Sequence, residues 1–598
     1  MYDYKDIYKK KVIEALTKLL KETDFENALD TSQVVAEIPP NPGMGDLGFP
    51  MFGFAKLFKK APPQIAQMVA AELPGSFAMG PYVNLRLDRG EAARGLLKGM
   101  NIPGTPGSAI GRPGTLQGSR IMVEFSSPNT NKPLHLGHLR NDVLGESISR
   151  ILAACGAEVR KVCIINDRGI HICKSMLTYK EQGEGKTPES EGIKSDRFVG
   201  DWYVRFNQGL KEETEALEKK GLGKKEAEAE APVLLRAQEL LRKWEAGDSQ
   251  TVELWKKMNA WAIEGWKETY RRTDVSFDKY YFESATYLLG KDEVLKGLEK
   301  GIFFREEDGS VQVDLSAEKL DKKVLLRKDG TSIYITQDLG TAINRHKDWP
   351  FDKLVYVVGS EQQYHFKVLF ILMEKLGFEW AKNLYHLSYG MVNLPEGKMK
   401  SREGTVVDAD DLIDSLKEMA IQEIRSKERE EAVGDTEAVA EKIAIGALHY
   451  FLLNVSPSKD MLFDPKESLS FNGDTGPYLQ YMGARISSLL RKAEDRRRGT
   501  GEEVRFELLT TDAEWELVKT LAAYNDTVAA AAADMDPSIL ASYLYNLAKG
   551  FSRFYHDCPV LAAEDPALCA ARLALCQAVL NVLRDALQLT CIPFLEAM

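Results

Sequence analysis

Two histidines separated by two residues, His135 and His138, have the residue type and spacing for chemistry on phosphate groups. A neutral imidazole donates one hydrogen bond, so the pair could stabilise charge that develops on a nucleotide phosphate. Gly137 between them would let a phosphate or an adenine ring approach the backbone. On spacing alone, two other interpretations stay open: the histidines cap a helix, or they bind zinc. Zinc is less favoured, because the glutamate of a His-Glu-x-x-His motif is missing and no third ligand lies nearby in the sequence.

The residues around the histidines predict a strand-helix-strand unit. Ile121 to Phe125 is a short apolar run that predicts a buried strand, and apolar residues from Leu139 to Leu152 recur with the period of a helix. Gly156 ends this helix, and Val159 to Ile165 is a second strand. Both histidines then lie at the turn from strand to helix. Open parallel sheets bind ligands at that edge, and a helix N-terminus there favours phosphate.

Further apolar runs predict a doubly wound, largely parallel sheet. The additional strands are a run near Tyr280, Thr331 to Thr336, Leu354 to Val358 and Leu384 to Val392, with helices between them. Four polar side chains fall at or near predicted strand ends: Glu124, Glu283, Tyr334 and Asp338. Carboxylates that converge at one sheet edge suit a planar guanidinium, which takes paired hydrogen bonds that an ammonium cannot reproduce. Taken singly, each of these residues could instead be a surface or capping group.

A lysine-rich loop with flanking glycines follows the last of these strands. It runs from Leu394 to Thr405 and contains Lys398. Such a loop could close over a triphosphate and stabilise the leaving pyrophosphate. The alternative is an exposed basic turn.

These motifs together resemble one enzyme family. His-Leu-Gly-His resembles the HIGH signature of class I aminoacyl-tRNA synthetases. The surrounding Glu-Phe-Ser-Ser-Pro-Asn and Lys-Pro-Leu-His-Leu-Gly-His-Leu-Arg are similar to arginyl-tRNA synthetases in particular. The lysine-rich loop resembles a degenerate KMSKS loop, in which Lys398 and Met399 match and Ser401 stands where a second lysine is expected. The resemblance implies that Lys132, just before the HIGH-like segment, substitutes for that lysine.

The resemblance implies an arginine–tRNA ligase that uses ATP with Mg²⁺. Such an enzyme forms arginyl-adenylate and transfers the arginyl group to the terminal adenosine of arginine tRNA. The implied catalytic residues are His135, His138, Lys132 and Lys398, and Gly137, Met399 and Ser401 would also contact ATP. The implied ligands of L-arginine are Glu124, Ser127, Asn129, Glu283, Tyr334, Asp338 and Gln362. The implied tRNA contacts are Tyr82, Asn84, Tyr478, Tyr481 and Arg485, and no protein-bound metal is implied.

At 598 residues the chain is too long for one hydrophobic core, so several domains are expected. Residues 1–102 predict a small α+β domain, which the resemblance makes a tRNA-elbow-binding domain, and the Gly- and Pro-rich residues 103–118 predict a linker. Residues 119–434 predict a Rossmann-like catalytic domain with a helical insertion at about 180–272. Residues 435–598 predict an α-helical bundle, which the resemblance makes the anticodon-binding domain.

The composition is that of an ordinary globular protein, with 44% hydrophobic and 28% charged residues. The net charge of −11 argues only weakly against a nucleic-acid partner, because binding depends on local patches. The seven cysteines form no Cys-x-x-Cys pair, no apolar run approaches the ~18–20 residues of a membrane helix, and the N-terminus lacks a signal-peptide pattern. These features predict a cytoplasmic protein without a membrane partner, and the resemblance implies a monomer, which the sequence itself does not show.

Two alternatives remain at this stage. Another class I synthetase, of glutamyl, cysteinyl or lysyl type, would share both signatures but would not need the cluster of Glu283, Tyr334 and Asp338. A catalytically silent tRNA-binding relative would have lost the ATP site, whereas His135 and His138 are both present.

Overall fold

The computed structural model describes residues 3–21, 29–100, 110–393, 407–497 and 504–598. The chain divides into two compact units. The first comprises Met1–Ile110, Ile486–Asn525 and Asn546–Leu583, and the second comprises Gly111–Arg485, Asp526–Tyr545 and Arg584–Met598.

Strands and helices alternate through the middle of the chain, and the last part is almost wholly helical. The strands are β1 Leu47–Pro50, β2 Ser76–Met79, β3 Tyr82–Leu85, β4 Arg120–Glu124, β5 Glu158–Ile165, β6 Lys279–Phe282, β7 Phe304–Arg305, β8 Val311–Val313, β9 Lys323–Leu326, β10 Lys353–Gly359, β11 Leu384–Tyr389, β12 Val392–Asn393 and β13 Met461–Leu462. The helices up to the end of the insertion are α1 Tyr4–Lys21, α2 Ala55–Phe58, α3 Pro62–Glu72, α4 Arg89–Met100, α5 Leu136–Ala154, α6 Ile170–Gln182, α7 Pro188–Glu191, α8 Ser195–Glu218, α9 Lys224–Glu230, α10 Pro232–Glu245 and α11 Ser249–Arg272. Those that follow are α12 Glu283–Thr286, α13 Lys291–Glu299, α14 Tyr334–Asp348, α15 Gln363–Lys375, α16 Ala409–Ser426, α17 Glu430–Val433, α18 Thr436–Leu453, α19 Pro465–Ser468, α20 Gly476–Arg497, α21 Asp512–Ala522, α22 Tyr524–Asp534, α23 Ser538–Asp557 and α24 Pro566–Leu589.

The first unit contains a three-stranded antiparallel sheet in the order β1-β3-β2. Helix α3 begins with Pro62 and Pro63, whose fixed φ and missing N–H suit the first turn of a helix. Its apolar face, with Ile65 and Val69, is buried, as is that of α1. This is the α+β module that the sequence predicts at the N-terminus.

A five-stranded parallel sheet in the order β11-β10-β4-β5-β6 forms the centre of the second unit. Strand β4 is the middle strand, and its last residue, Glu124, lies opposite Val162 of β5 and Tyr356 of β10. Apolar side chains such as Met122 and Leu354 join those of α14 and α15 in one buried cluster. The prediction of a doubly wound parallel sheet is confirmed, and so is the helical C-terminal region.

The predicted strand Thr331 to Thr336 is wrong, because helix α14 begins at Tyr334. The β-branched residues of this segment favour a strand locally. Ile335, Leu339 and Ala342, however, recur at helical spacing and are all buried in the sheet-side cluster, so tertiary burial decides the outcome. Asp338 therefore lies one turn into a helix and not after a strand.

The expectation that no apolar run has the length of a membrane helix is wrong for α24. Helix α24 is long and apolar enough to span a membrane by length and composition. Leu575, Val579 and Leu583 along it are buried against other side chains, and Arg572 is ion-paired with Glu514 at 2.7 Å. This burial is that of a core helix in a folded bundle.

Candidate active site

The turn after β4 has an unusual backbone conformation. Ser126 and Ser127 have φ values of 70° and 51°, in the left-handed region that residues with a Cβ rarely adopt. Hydrogen bonds hold both residues there: the Ser126 N–H donates to Asn141 Oδ1 at 2.5 Å, and Asn166 Nδ2 donates to the Ser127 carbonyl at 2.9 Å. Such strain persists where the surrounding structure over-determines it, which is common at functional sites.

His135 and His138 cap the N-terminus of α5. Nδ1 of His135 accepts a hydrogen bond from the Gly137 N–H at 3.1 Å, and Nδ1 of His138 accepts one from the His135 N–H at 3.2 Å. The two ring centroids are 3.9 Å apart. A Cβ at Gly137 would lie 3.0 Å from Cε1 of His135, so glycine makes room for this ring position. The capping interpretation is therefore correct, and it leaves Nε2 as the protonated nitrogen of each neutral ring.

Burial keeps both imidazoles neutral. Burial, together with the charge of Lys132, lowers the pKa of His135 to about 3. The pKa of His138 is also held well below its ordinary value by burial, with His135 and Lys132 adding to the effect. Each ring therefore presents a neutral Nε2–H donor across the physiological pH range. This arrangement suits hydrogen bonding to an anion and does not depend on proton exchange.

Lys132 lies next to the histidine pair, in a loop held by the helical insertion. Its side chain is half-buried, and this burial lowers the pKa of its ammonium group. Its carbonyl accepts a hydrogen bond from Nε1 of Trp266 at 3.1 Å. Lys132 and His135, with Gly200 and Tyr203 of α8, line a cavity of about 230 Å³. Cationic side chains and one imidazole therefore border this cavity, together with carboxylates of α8 and of the start of α16.

The carboxylates Glu283 and Asp338 are near enough to interact electrostatically. Glu283 directly follows β6 as the first residue of α12, as predicted for a strand end. Burial raises the pKa of Glu283 to about 7; Arg168 opposes this shift, and the negative charges of Asp167 and Asp338 add to it. Asp338 Oδ2 lies 2.6 Å from Nε2 of His365. An arrangement in which one carboxylate disfavours the ionisation of another is suited to a cation.

The other predicted arginine ligands lie in different environments. Tyr334 is one turn before Asp338 on α14 and is 76% exposed, and Gln362 is exposed just after β10. Asn129 is half-buried in the turn after β4, where its backbone bridges to Asn166. Asn129 and Gln362 thus follow the carboxyl ends of β4 and β10, and Tyr334 begins α14.

Glu124 is buried and already has a cationic partner. Its carboxylate forms an ion pair with Arg345, whose side chain is 2% exposed, and Ser127 Oγ donates to it at 3.4 Å. Burial raises the pKa of Glu124, although the Arg345 charge opposes the shift. Arg345 is a buried residue of the site that the sequence pattern does not indicate. Its signal is visible once α14 is known to be helical, because Arg345 stands seven residues after Asp338 on the same face.

The predicted tRNA contacts are partly exposed, with one exception. Tyr82 is half-buried and packs edge-on against the exposed Phe52, with ring centroids 5.9 Å apart. Asn84, in contrast, is 1% exposed in β3 and is not available to a partner at the surface. On α20, Tyr481 is 38% exposed, whereas Tyr478 and Arg485 are half-buried.

Lys398, Met399 and Ser401 lie outside the described residues. The residues on either side of that segment are held in place. The carbonyl of Asn393 accepts a hydrogen bond from the Phe463 N–H at 2.8 Å, and the carbonyl of Val407 accepts one from the Leu136 N–H at 3.2 Å. The second contact joins residue 407 directly to the segment that contains His135.

The chain matches known proteins along its whole length. Residues 6–87 match the family model for the arginyl tRNA synthetase N terminal domain, residues 111–464 that for the catalytic domain of class I (R) tRNA synthetases, and residues 479–598 the DALR anticodon binding domain. Arginine–tRNA ligases from Treponema denticola and Treponema pallidum are 57% and 53% identical, each over 100% of both chains. The solved arginyl-tRNA synthetase of Thermus thermophilus is 26% identical, with a TM-score of 0.80 over 100% of both chains.

Proposed function

Because the chain belongs to the arginyl-tRNA synthetase family, we propose that the carboxyl edge of its five-stranded sheet binds arginine and ATP. The chain is an enzyme that forms arginyl-tRNA from arginine, tRNA and ATP. The observation that carries the proposed site is the carboxylate of Glu283 at the end of β6, whose pKa burial raises to about 7, with the negative charges of Asp167 and Asp338 adding to the shift. A guanidinium placed between Glu283 and Asp338 would stabilise the ionised form of both carboxylates.

Glu283, Asp338 and Tyr334 hold the guanidinium in this proposal. The planar guanidinium offers donors in two directions and can bind two carboxylates at once. The ammonium group of lysine lacks this planar arrangement of donors. Citrulline has the same shape but no charge, and it would leave both carboxylates uncompensated at a cost of several kcal/mol. Asn129, Ser127 and Gln362 face the α-amino end. Glu124 is left out of this set, because Arg345 already balances its charge.

The histidine pair and Lys132 act on ATP. The carboxylate of arginine attacks the α-phosphorus, the bond to the bridging oxygen breaks, and pyrophosphate leaves. His135 and His138 donate their Nε2–H groups to phosphate oxygens as charge develops, while Lys132 supplies a cation beside them. Lys398, with Met399 and Ser401, contributes from the KMSKS-like loop.

Magnesium enters as part of the substrate, bound to the triphosphate. Within the described ranges, no group of three or more His, Cys, Asp or Glu side chains is arranged to hold a metal ion. Magnesium usually keeps several waters and binds through phosphates with one or two carboxylates. The phosphate oxygens would therefore be its main ligands, and its charge would favour departure of pyrophosphate.

The tRNA contacts and the cellular setting belong to the same proposal. Tyr478, Tyr481 and Arg485 on α20 would stack on and neutralise the anticodon arm, and Tyr82 would contact the elbow. Membership of the family supports a monomer that acts in the cytoplasm. The buried state of α24 supports the absence of a membrane partner.

The substitution Asp338→Ala tests the arginine site. It removes one of two charges that face the guanidinium, so we expect kcat/KM for arginine to fall by about 100-fold in ATP–pyrophosphate exchange, with a KM for ATP near the wild-type value. Asp292→Ala is the matched control, because Asp292 is an exposed carboxylate in the first turn of α13. Normal arginine kinetics in Asp338→Ala would rule out this pocket.

A further inference from the structure

At the start of α16, the carboxylate of Asp410 accepts hydrogen bonds from three side chains of the helical insertion. Asp410 Oδ2 accepts hydrogen bonds from Lys194 Nζ at 2.6 Å and from Thr269 Oγ1 at 2.7 Å. Its other oxygen, Oδ1, accepts one from Arg272 Nη1 at 2.8 Å. Lys194 immediately precedes α8, whereas Thr269 and Arg272 are in the last turn of α11. Residues at the start of α8 and at the end of α11 therefore contact the same side chain outside the insertion.

The donors around Asp410 are themselves fixed. Lys194 is also paired with the fully buried Asp196 at 3.1 Å. A Cβ at Gly265 would lie only 2.5 Å from atoms of Asp196, so α8 and α11 are in close contact at this point. Arg272 further contacts Asp414 at 2.6 Å and Glu441 of α18 at 2.8 Å. The carboxylate of Asp410 thus faces donors that have little freedom to move.

The backbone next to Asp410 pairs with the histidine segment. The Ala409 N–H donates to the carbonyl of Leu134 at 3.0 Å, and the Leu136 N–H donates to the carbonyl of Val407 at 3.2 Å. These two bonds enclose His135 and Asp408, which form a short antiparallel bridge. Asp410, whose carboxylate the insertion contacts, is therefore the direct neighbour of Ala409, whose backbone pairs with the segment that contains His135.

We propose that Asp410 is a positioning residue for the activation step, through which the helical insertion fixes the backbone of His135 and hence the direction of its Nε2–H. This inference rests on the proposed role of the histidine pair in binding ATP. It gives the insertion a function in the chemistry besides any contact with tRNA. Burial alone would raise the pKa of Asp410, but the hydrogen bonds from Lys194, Thr269 and Arg272 bring it below its ordinary value, so the group is a carboxylate at neutral pH.

The substitution Asp410→Asn tests this role. An asparagine of the same size offers one acceptor and turns an NH₂ group toward cationic donors, so the three contacts cannot all be kept. Glu418→Gln is the matched control on the same helix, since Glu418 is an exposed carboxylate about two turns beyond Asp410. The helix cap by Asp408 is retained in both variants, because Asp408 accepts from the backbone N–H of residues 410 and 411.

We expect Asp410→Asn to lower kcat of arginine-dependent ATP–pyrophosphate exchange by about tenfold or more, with the KM for arginine within about twofold of wild type. Glu418→Gln should stay within about twofold in both parameters. The assay is run well below the melting temperature of each variant, which is measured alongside. Wild-type kcat in Asp410→Asn, or an equal loss in Glu418→Gln, would overturn the inference.

A double-mutant cycle with His135→Asn separates positioning from general destabilisation. If Asp410 acts through His135, adding Asp410→Asn to His135→Asn should lower kcat by less than about twofold more. Losses that multiply in full would mean that the two residues act independently and would contradict the inference. Wild-type activity of His135→Asn would instead remove the proposed role of the histidine itself. An inactive His135→Asn beside an active Asp410→Asn would leave that role standing and discard only the positioning by Asp410.

Discussion

Arginine binding should weaken as the pH falls through 7, because Glu283 must be ionised to pair with a guanidinium. Burial raises its pKa to about 7; the Arg168 charge opposes this shift, and the negative charges of Asp167 and Asp338 add to it. The ionised fraction is therefore about nine tenths at pH 8 and about one tenth at pH 6. The kcat/KM for arginine, which reports ionisations of the free enzyme, should fall about tenfold between those values.

The substitution Glu283→Gln supplies the control for this pH effect. The variant should bind arginine weakly at every pH, and its kcat/KM for arginine should no longer change about tenfold between pH 8 and pH 6. The measurement is ATP–pyrophosphate exchange with tRNA present, at saturating ATP and varied arginine. A flat wild-type profile would refute the reasoning, and so would a Glu283→Gln profile with the wild-type slope.

Because the pKa of Glu283 is raised in the folded enzyme, its ionised form should destabilise the ligand-free enzyme above pH 7, and this effect should vanish as the pH falls toward 4.5. Glu283→Gln should therefore have a higher melting temperature than wild type at pH 8 but not at pH 5. Arg345→Met should lower the free energy of unfolding by about 3–5 kcal/mol, because it leaves Glu124 buried without its partner. Urea denaturation at pH 7 measures this loss, and the double variant with Glu124→Gln should recover part of it; an undiminished loss there would contradict the charge argument. His138→Asn should lower kcat by about 10²–10³-fold. The pH profile of the wild-type kcat should contain no ionisation near pH 6.5 that disappears in this variant, because the His138 ring is already neutral.

The part of the site built from contiguous sequence could be predicted, and the part built from distant pairs could not. The apolar run before His135, the helical period after His138 and the stop at Gly156 agree with one another, so β4, α5 and β5 follow from local pattern. Arg345 and Glu124 are 221 residues apart in the chain, and nothing in either segment identifies the other as its partner.

The segment from Thr331 to Thr336 shows where local preference misleads. Its threonines and isoleucines favour a strand, yet the apolar side chains that follow Ile335 fit the sheet only at helical spacing. Tyr334 and Asp338 are predicted as site residues because they lie at the end of a predicted strand, and that strand does not form. They border the carboxyl edge from a helix that packs against the sheet, and their assignment as arginine ligands stays a prediction.

The measurement that tests the central claim most directly is amino-acid-dependent ATP–pyrophosphate exchange, with and without total tRNA. Arginine, lysine and citrulline are compared as substrates for the wild-type enzyme. The account predicts exchange with arginine, and exchange with lysine and citrulline lower by about 10³-fold or more, because neither satisfies both Glu283 and Asp338. Comparable exchange with citrulline would contradict a site built on two carboxylates that face a guanidinium.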